Sequence, residues 1–332
     1  MAARNVVVLG ASAGGLEGLM RIVRDLVPGL PSAFFVTMHV SPTAHSRLTD
    51  ILARVARYPV RAVTTAGEDI VEGRVYVATP DRHMVIEGGR VFASAAPREN
   101  HHRPSIDALF RSAAIAYGRR TVGVILSGTL DDGTAGLRWI KRAGGVALVQ
   151  DPAEALFGGM PASAIANVDV DRVLRAEEIA AGIADAVTRG GEGIVSENGS
   201  VDDQGAPRDN GQHAASDFVC PDCGGTLFRV PENDIMRFRC RVGHAYSPEG
   251  LHAVQSRDVE ESLWTAIRSL EEHADLSRRL AEWARISSLS MAEENFANRA
   301  ADSLRKAAIV RRALGETYDV PPEPQDAAAS DA

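Results

Sequence analysis

The residue that invites chemistry first is Ser12, in Gly10-Ala11-Ser12-Ala13-Gly14. An apolar run of strand length, Val6-Val7-Val8-Leu9, precedes it, and a helical pattern starts at Leu16. In a strand–turn–helix of this kind, G-x-S-x-G pushes the serine hydroxyl out at the carboxyl end of a strand. The N–H groups of a following helix favour the negative charge that develops there. From this stretch alone Ser12 is open to three roles. It is a nucleophile, part of a phosphate-binding loop, or a serine that caps a helix. Against the loop, Ser12 stands where the phosphate fingerprint has its second glycine.

Two further strand ends carry matching groups. His39 closes the apolar run Ala33 to Val40, and Asp131 and Asp132 follow the strand Thr121 to Leu126 within Ser127-Gly128-Thr129-Leu130-Asp131-Asp132-Gly133. Hydroxyl, imidazole and carboxylate are the parts of a nucleophilic triad, in which serine attacks, histidine takes its proton and aspartate orients the imidazole. Each has a plainer role as well. A histidine at a strand end is commonly a surface or satisfied core residue, and Asp-Asp-Gly is commonly a turn. A second cluster lies far along the chain. Cys220-x₂-Cys223 and Cys240-x₃-His244 supply three thiolates and an imidazole, the donor set of a closed, tetrahedral, structural zinc site. A metal-free hairpin with reduced thiols and an iron centre are the competing readings. Such a small unit has little core, so the metal would supply its folding energy.

The elements that must position these groups follow from periodicity. Strand-length apolar runs alternate with helical patterns over residues 1–188, which predicts an α/β domain with a doubly wound, mostly parallel sheet. Sites on such sheets gather at the carboxyl ends of strands. Ser46 to Val55 and Ser105 to Tyr117 are expected helices, with Ser105 as an N-cap. Residues 189–216 are rich in Gly, Asp, Asn and Ser and are expected to be a flexible linker. A zinc-ribbon-like module (217–249), an α-helical hairpin (250–316) and a disordered tail (317–332) should follow. The hairpin faces are expected along Leu263, Ile267, Leu270, Ala274, Ser277 and Leu280, and along Phe296, Ala300, Leu304, Ala307 and Val310.

Composition bounds the rest. The chain has 332 residues and a formal net charge of −8, which argues against broad nucleic-acid binding. In the ribbon Arg229, Arg237, Arg239 and Arg241 alternate with Asp222, Glu232 and Asp234, which favours a protein-contact or structural role. No run approaches the length of a membrane span and no secretory leader precedes the first strand, so a cytoplasmic protein is expected. All three cysteines fall between 220 and 240, which points to metal rather than a disulfide framework.

The motifs together resemble the catalytic domain of the bacterial chemotaxis protein-glutamate methylesterases, the CheB type. The resemblance rests on Gly10-Ala11-Ser12-x-Gly14-Gly15, on His39, and on Ser127-Gly128-Thr129-x-x-Asp132-Gly133. It extends to Gly73-Arg74-Val75-Tyr76-Val77-Ala78 with Pro80 and His83, to His102-Arg103-Pro104-Ser105-Ile106-Asp107, and to Gly159-Met160-Pro161-x-Ser163-Ala164-Ile165. It covers about residues 4 to 187. What it implies is a serine carboxylesterase that hydrolyses glutamate methyl esters on chemoreceptor-like or other signalling proteins, and in some members deamidates glutamine. Ser12 would be the nucleophile, His39 the general base and Asp132, rather than Asp131, the third member. The backbone N–H groups of Ala13 and Thr129 would be oxyanion donors. No cofactor would serve catalysis, and a methyltransferase would act in opposition. The best-known members carry an amino-terminal receiver domain; the chain starts at the catalytic strand, so it is expected to lack that switch and to resemble receiver-less members with a carboxyl-terminal ribbon. It departs from the family pattern at Met38, at Leu130, where glycine is usual, and at Ala162. A catalytically silent adaptor that binds receptor-like helices is the alternative function, and a nucleotide-binding regulator is a third.

Overall fold

The computed structural model describes residues 5–41, 47–189, 214–232 and 235–317. Ser46, Asp234, most of the expected linker and nearly all of the expected tail lie outside the described residues. In chain order the elements are β1 (Asn5–Ala11), α1 (Leu16–Asp25), β2 (Ser32–Met38), α2 (Leu48–Ala53), β3 (Val60–Ala62), β4 (Glu68–Asp69), β5 (Val75–Val77), β6 (His83–Glu87) and β7 (Arg90–Ser94). Then come α3 (Ile106–Tyr117), β8 (Thr121–Ile125), α4 (Thr134–Arg142), β9 (Val146–Gln150), α5 (Gly159–Asn167), β10 (Arg172–Leu174) and α6 (Ala176–Arg189). The carboxyl-terminal part contributes β11 (Ala215–Val219), β12 (Thr226–Glu232), β13 (Ile235–Cys240), β14 (Ala245–Tyr246), α7 (Pro248–Ile286) and α8 (Ser290–Thr317).

Among the described residues seven strands form a parallel sheet in the order β10-β9-β8-β1-β2-β5-β3. β1 is central and buried throughout, which is why its sequence is nearly continuous valine and leucine. Successive side chains point to opposite faces. Val6 and Val8 enter one core with Phe35, Tyr76, Ile106 and Phe110. Val7 and Leu9 enter the other with Leu19, Ile22, Phe34 and Ile179. Each such side chain contributes about 1.5–3 kcal/mol by leaving water. Thus α3, α4 and α5 cover one face, and α1, α2 and α6 the other. The chain leaves β1 for β2 on one side and returns to β8 on the other. That reversal places a crevice at the carboxyl ends of β1, β2 and β8. A three-stranded antiparallel sheet, β4-β7-β6, adds Ile70, Met84, Ile86 and Val91 to the core under α3.

The chain divides into two compact units, Met1–His252 and Ala253–Ala332. The four-stranded antiparallel sheet β11-β12-β13-β14 therefore shares the first unit with the parallel sheet. Its edge strand β14 joins the segment before α3: Asn100 N–H donates to Ala245 O at 2.7 Å, and Ala245 N–H to Arg98 O at 3.2 Å. Arg237 and Arg239 of β13 are buried, not solvated.

In the second unit, α7 and α8 run antiparallel. His273 Nδ1 lies 2.9 Å from Ser303 Oγ, and Arg311 meets Glu271 at 2.7 Å. Small residues, Ala274, Ser277, Ala284, Ala300, Ser303 and Ala307, are buried along their contact. On the expected face of α8, Ala300 and Ala307 are buried but Leu304 is 39% exposed, and its neighbour Ser303 is buried in its place. A close small-residue seam has no room for leucine there, so apolar periodicity pointed to the wrong neighbour. Among the described residues no helix is long and apolar enough to cross a membrane.

Candidate active site

β1 ends at Ala11, and Ser12 turns out of the sheet with its N–H donating to Ser127 O at 2.9 Å. The turn needs its glycines. Gly14 has φ +71°, in the left-handed region that disfavours side chains. A Cβ on Gly128 would sit 2.1 Å from Met160 Sδ and 2.8 Å from Ser12 Cβ. Ser127, next to it, ties three loops together: its Oγ donates to Ala13 O at 2.8 Å and accepts from Phe157 N–H at 3.0 Å.

His39 follows β2 directly, and its N–H donates to Ala11 O at 3.2 Å. Its Nδ1 lies 3.0 Å from Ser12 Oγ, and its Nε2 lies 2.6 Å from Asp132 Oδ2. Ser12, His39 and Asp132, the aspartate that the resemblance implied, thus form one hydrogen-bonded chain. Asp131, one residue earlier, points elsewhere and accepts from Ser247 Oγ at 2.9 Å. Asp132 is 2% exposed. Besides His39 it accepts from Ile106 N–H at 2.7 Å, Ser105 Oγ at 2.9 Å, Asn100 Nδ2 at 3.1 Å and Asp107 N–H at 3.3 Å. Burial alone would raise its pKa, but these donors, led by His39, hold the carboxyl far below the usual carboxylate range. Ile106 and Asp107 open α3, so Asp132 caps that helix and meets its positive end. Ser105 makes no side-chain cap bond, against the expectation; its hydroxyl serves Asp132 instead.

An anionic Asp132 can only accept, so Nε2 carries the proton and Nδ1 presents a lone pair to Ser12. The N–H groups of Ala13 and Thr129 find no acceptor among the described residues. Both residues are exposed at the crevice beside Ser12. A cavity of about 340 Å³ opens beside His39, with Arg98, His101 and Arg103 on its wall.

Comparison with known proteins assigns the chain to a family. The model of the family described as CheB methylesterase matches residues 7–183. The chain belongs to the CheB methylesterase family. A protein-glutamate methylesterase/protein-glutamine glutaminase of Anaeromyxobacter dehalogenans is 42% identical over 174 residues, 52% of this chain and 51% of that protein. A putative one from Leptospira interrogans is 38% identical over 179 residues, 52% of this chain and 90% of that protein. The chain therefore spans about half the length of the Anaeromyxobacter relative and most of the Leptospira one. The crystal structure of the Thermotoga maritima CheB methylesterase catalytic domain superposes with a TM-score of 0.52 at 31% identity, covering 55% of this chain and 97% of that one. The matched family segment contains Ser12, His39 and Asp132 and ends before the four-stranded sheet.

The departure at Leu130 has a structural meaning in this family. Leu130 has φ +61°, so the backbone adopts there the conformation that glycine enters freely. Other site residues escaped sequence reasoning. Asn100, Ser105 and Asp107 around Asp132, and His102 beside His39, are joined to the triad only through space. For His102, Ser105 and Asp107 the sole signal was their place in the motif His102 to Asp107; Asn100 lies outside it.

A second constellation lies in the four-stranded sheet. Among the described residues the ligand atoms of Cys220, Cys223, Cys240 and His244 all lie within 4.8 Å of one another. Cys223 Sγ is 3.7 Å from Cys240 Sγ, and His244 Nδ1 is 3.6 Å from Cys220 Sγ and 3.5 Å from Cys240 Sγ.

Proposed function

We propose that the chain is a serine carboxylesterase that hydrolyses γ-methyl esters of protein glutamate. The observation that carries this is the unbroken line from Ser12 Oγ through His39 to the buried anion Asp132. Ser12 Oγ attacks the ester carbonyl while its proton passes to His39 Nδ1. Asp132 holds the imidazole in the required tautomer and stabilises the imidazolium. The N–H groups of Ala13 and Thr129 receive the oxyanion; one such donor is typically worth about 10²–10³ in rate. Collapse of the tetrahedral intermediate breaks the C–O bond, His39 returns its proton to the leaving oxygen, and methanol departs. Water, deprotonated by His39, then attacks the acyl-serine and releases glutamate. A glutamine amide in place of the ester gives ammonia by the same steps, in line with the glutaminase in the relatives' names. The substrates are methylated chemoreceptor-like or other signalling proteins, with a methyltransferase acting in opposition and catalysis without a cofactor. Arg98, His101 and Arg103 beside the crevice suit a glutamate-rich substrate helix. The cytoplasm is the compartment where such receptors expose those helices.

We further infer that the carboxyl-terminal four-stranded sheet is a zinc ribbon. For zinc bonds of about 2.3 Å to sulfur and 2.0–2.1 Å to nitrogen, tetrahedral edges are about 3.8 Å between sulfurs and about 3.6 Å from sulfur to nitrogen. The Cys223–Cys240, Cys220–His244 and Cys240–His244 separations fit that frame, and all four ligand atoms lie within 4.8 Å of one another. Four protein ligands leave no open position, so the ion's contribution is folding energy.

The deciding measurement is methanol release from a methylated receptor fragment. Wild type should release methanol, while Ser12→Ala and His39→Ala should lose nearly all activity. Equal rates above background in wild type and Ser12→Ala would overturn the triad assignment, and no release above background in wild type would exclude the esterase and leave a binding protein.

A further inference from the structure

The acid end of the triad is held by residues that are themselves held from far along the chain. Asn100 Nδ2 bridges the two buried carboxylates, 3.1 Å from Asp132 Oδ1 and 3.1 Å from Asp107 Oδ2. Asp107 also accepts from Gly133 N–H at 3.0 Å and Gly136 N–H at 2.7 Å, so it fixes the backbone immediately after Asp132. Asp107 and Asp132 are both fully enclosed, and like charges so placed repel. Burial, with the neighbouring Asp132 charge, pushes the Asp107 carboxyl up to about 7 against the pull of Arg237. The compensating charge comes from β13. Arg237, 1% exposed, reaches Asp107 Oδ2 with Nη1 at 2.6 Å, and lies 3.5 Å from Glu99 and 3.9 Å from Glu232.

The same sheet grips the turn that carries Asn100. Asn100 and His101 have φ +50° and +64°, a conformation costly for residues with side chains. The backbone of Asn100 is paired with Ala245 of β14, and its side-chain Oδ1 accepts from Ser247 N–H at 2.9 Å. One amide is thereby fixed at both ends: its oxygen by the carboxyl-terminal segment, its nitrogen by the two aspartates.

The geometry points to Arg237 as a positioning residue of the triad, through which the four-stranded sheet completes the esterase site. The inference rests on the esterase reading above. Arg237 fixes the Asp107 carboxyl through its 2.6 Å contact with Oδ2, and Asp107 accepts from Asn100, Gly133 and Gly136 together. Those bonds set the position of Asp132 and hence the angle of His39 toward Ser12. An enzyme built this way needs its sheet folded to be active, although no ribbon residue touches the reacting atoms.

The test uses the full chain and five proteins: wild type, Ser12→Ala, Arg237→Lys, Arg237→Met, and Arg237→Met combined with Asp107→Asn. Methanol release gives kcat and KM, and urea denaturation gives the unfolding midpoint. Arg237→Met should lower kcat about tenfold to a hundredfold, the scale of a small misplacement of catalytic groups, with KM changed less than threefold. Arg237→Lys, which keeps the charge but not the fork, should fall between it and wild type. The double variant replaces the buried carboxyl left without its Arg237 partner by a neutral amide, so its midpoint should recover while kcat stays low. Recovery of kcat together with the midpoint would reduce Arg237 to a purely structural ion-pair partner and overturn the proposal. So would a kcat within twofold of wild type in Arg237→Met. Should Arg237→Met not fold, the double variant and Arg237→Lys decide by the same twofold criterion. A wild type no faster than Ser12→Ala would instead overturn the triad assignment or the esterase reading, and the positioning role with it.

Discussion

The imidazole of His102 lies face to face with that of His39, their ring centroids 3.7 Å apart and their planes 14° from parallel. In the proposed esterase, His39 must keep one nitrogen on Ser12 and the other on Asp132 through a full proton transfer. A flat ring stacked on it blocks rotation about χ2 without competing for either nitrogen. His102 belongs to the same turn as Asn100, so one short segment steadies both the base and the acid of the triad.

His102→Ala should therefore lower kcat. An aromatic pair is worth about 0.5–1.5 kcal/mol, which corresponds to roughly 2–10-fold in rate if the stack is fully used in positioning. His102→Phe keeps a flat ring and should stay closer to wild type than His102→Ala in steady-state methanol release. Equal losses in the two variants would show that the ring plane is not what matters.

Asp132→Asn should cost about 10⁴ in kcat at neutral pH, because an amide can turn its N–H toward Nε2 and favour the wrong tautomer. Circular dichroism should show the fold retained. Asp132 is nevertheless the cap of α3, so a modest loss of stability should accompany the kinetic effect. Retention of more than a tenth of the wild-type rate would remove Asp132 from the triad.

Leu130→Gly should stabilise the chain by about 1 kcal/mol, the left-handed strain relieved less the entropy that glycine adds to the unfolded state. The φ of +61° is the ground for this, and the 43% exposure of Leu130 means little packing is lost. Urea denaturation at neutral pH measures it. A destabilised variant would show that the leucine side chain contributes more than its backbone costs.

Burial pushes the Asp131 carboxyl up to about 6 from its ordinary 3.8, against the Ser247 hydroxyl that donates to it. The folded chain then binds this proton more tightly than the unfolded chain does. The contribution to stability is full below the unfolded pKa and is lost as pH rises through the folded one. It amounts to on the order of 3 kcal/mol across roughly pH 4 to 6. Asp131→Asn should remove that slope, so the difference in unfolding free energy between variant and wild type should change across this window and stay flat above it. Parallel pH curves would show that Asp131 has no raised pKa.

Purified chain should contain about one zinc per molecule by elemental analysis. Cys223→Ser should lose the metal, and chelation should lower the unfolding midpoint, since a site of this kind supplies folding energy to a module with little core. Metal-free protein with an unchanged midpoint would argue for reduced thiols alone.

Much of the site was legible in the chain. Ser12, His39 and Asp132 each fall just after an apolar run of strand length, and an α/β sheet brings strand ends together whatever their separation in sequence. The clustering of Cys220, Cys223, Cys240 and His244 was legible for a related reason, because residues that could hold a metal come in short pairs whose spacing survives in a linear reading. What escaped was whatever depends on which surfaces meet. Nothing local in Arg237, Arg239 or Glu232 distinguishes a buried ion-pair cluster from an exposed charged hairpin. Their burial follows from the docking of β13 and β14 against the segment before α3. The sheet, the strand ends and the donor types were thus determined by periodicity and residue identity. Only the tertiary structure decided which hydroxyl caps nothing and serves Asp132 instead, and which arginine offsets the charge behind it. Those choices belong to contacts between residues as far apart as Asp107 and Arg237, where side-chain direction and desolvation, not spacing, set the outcome.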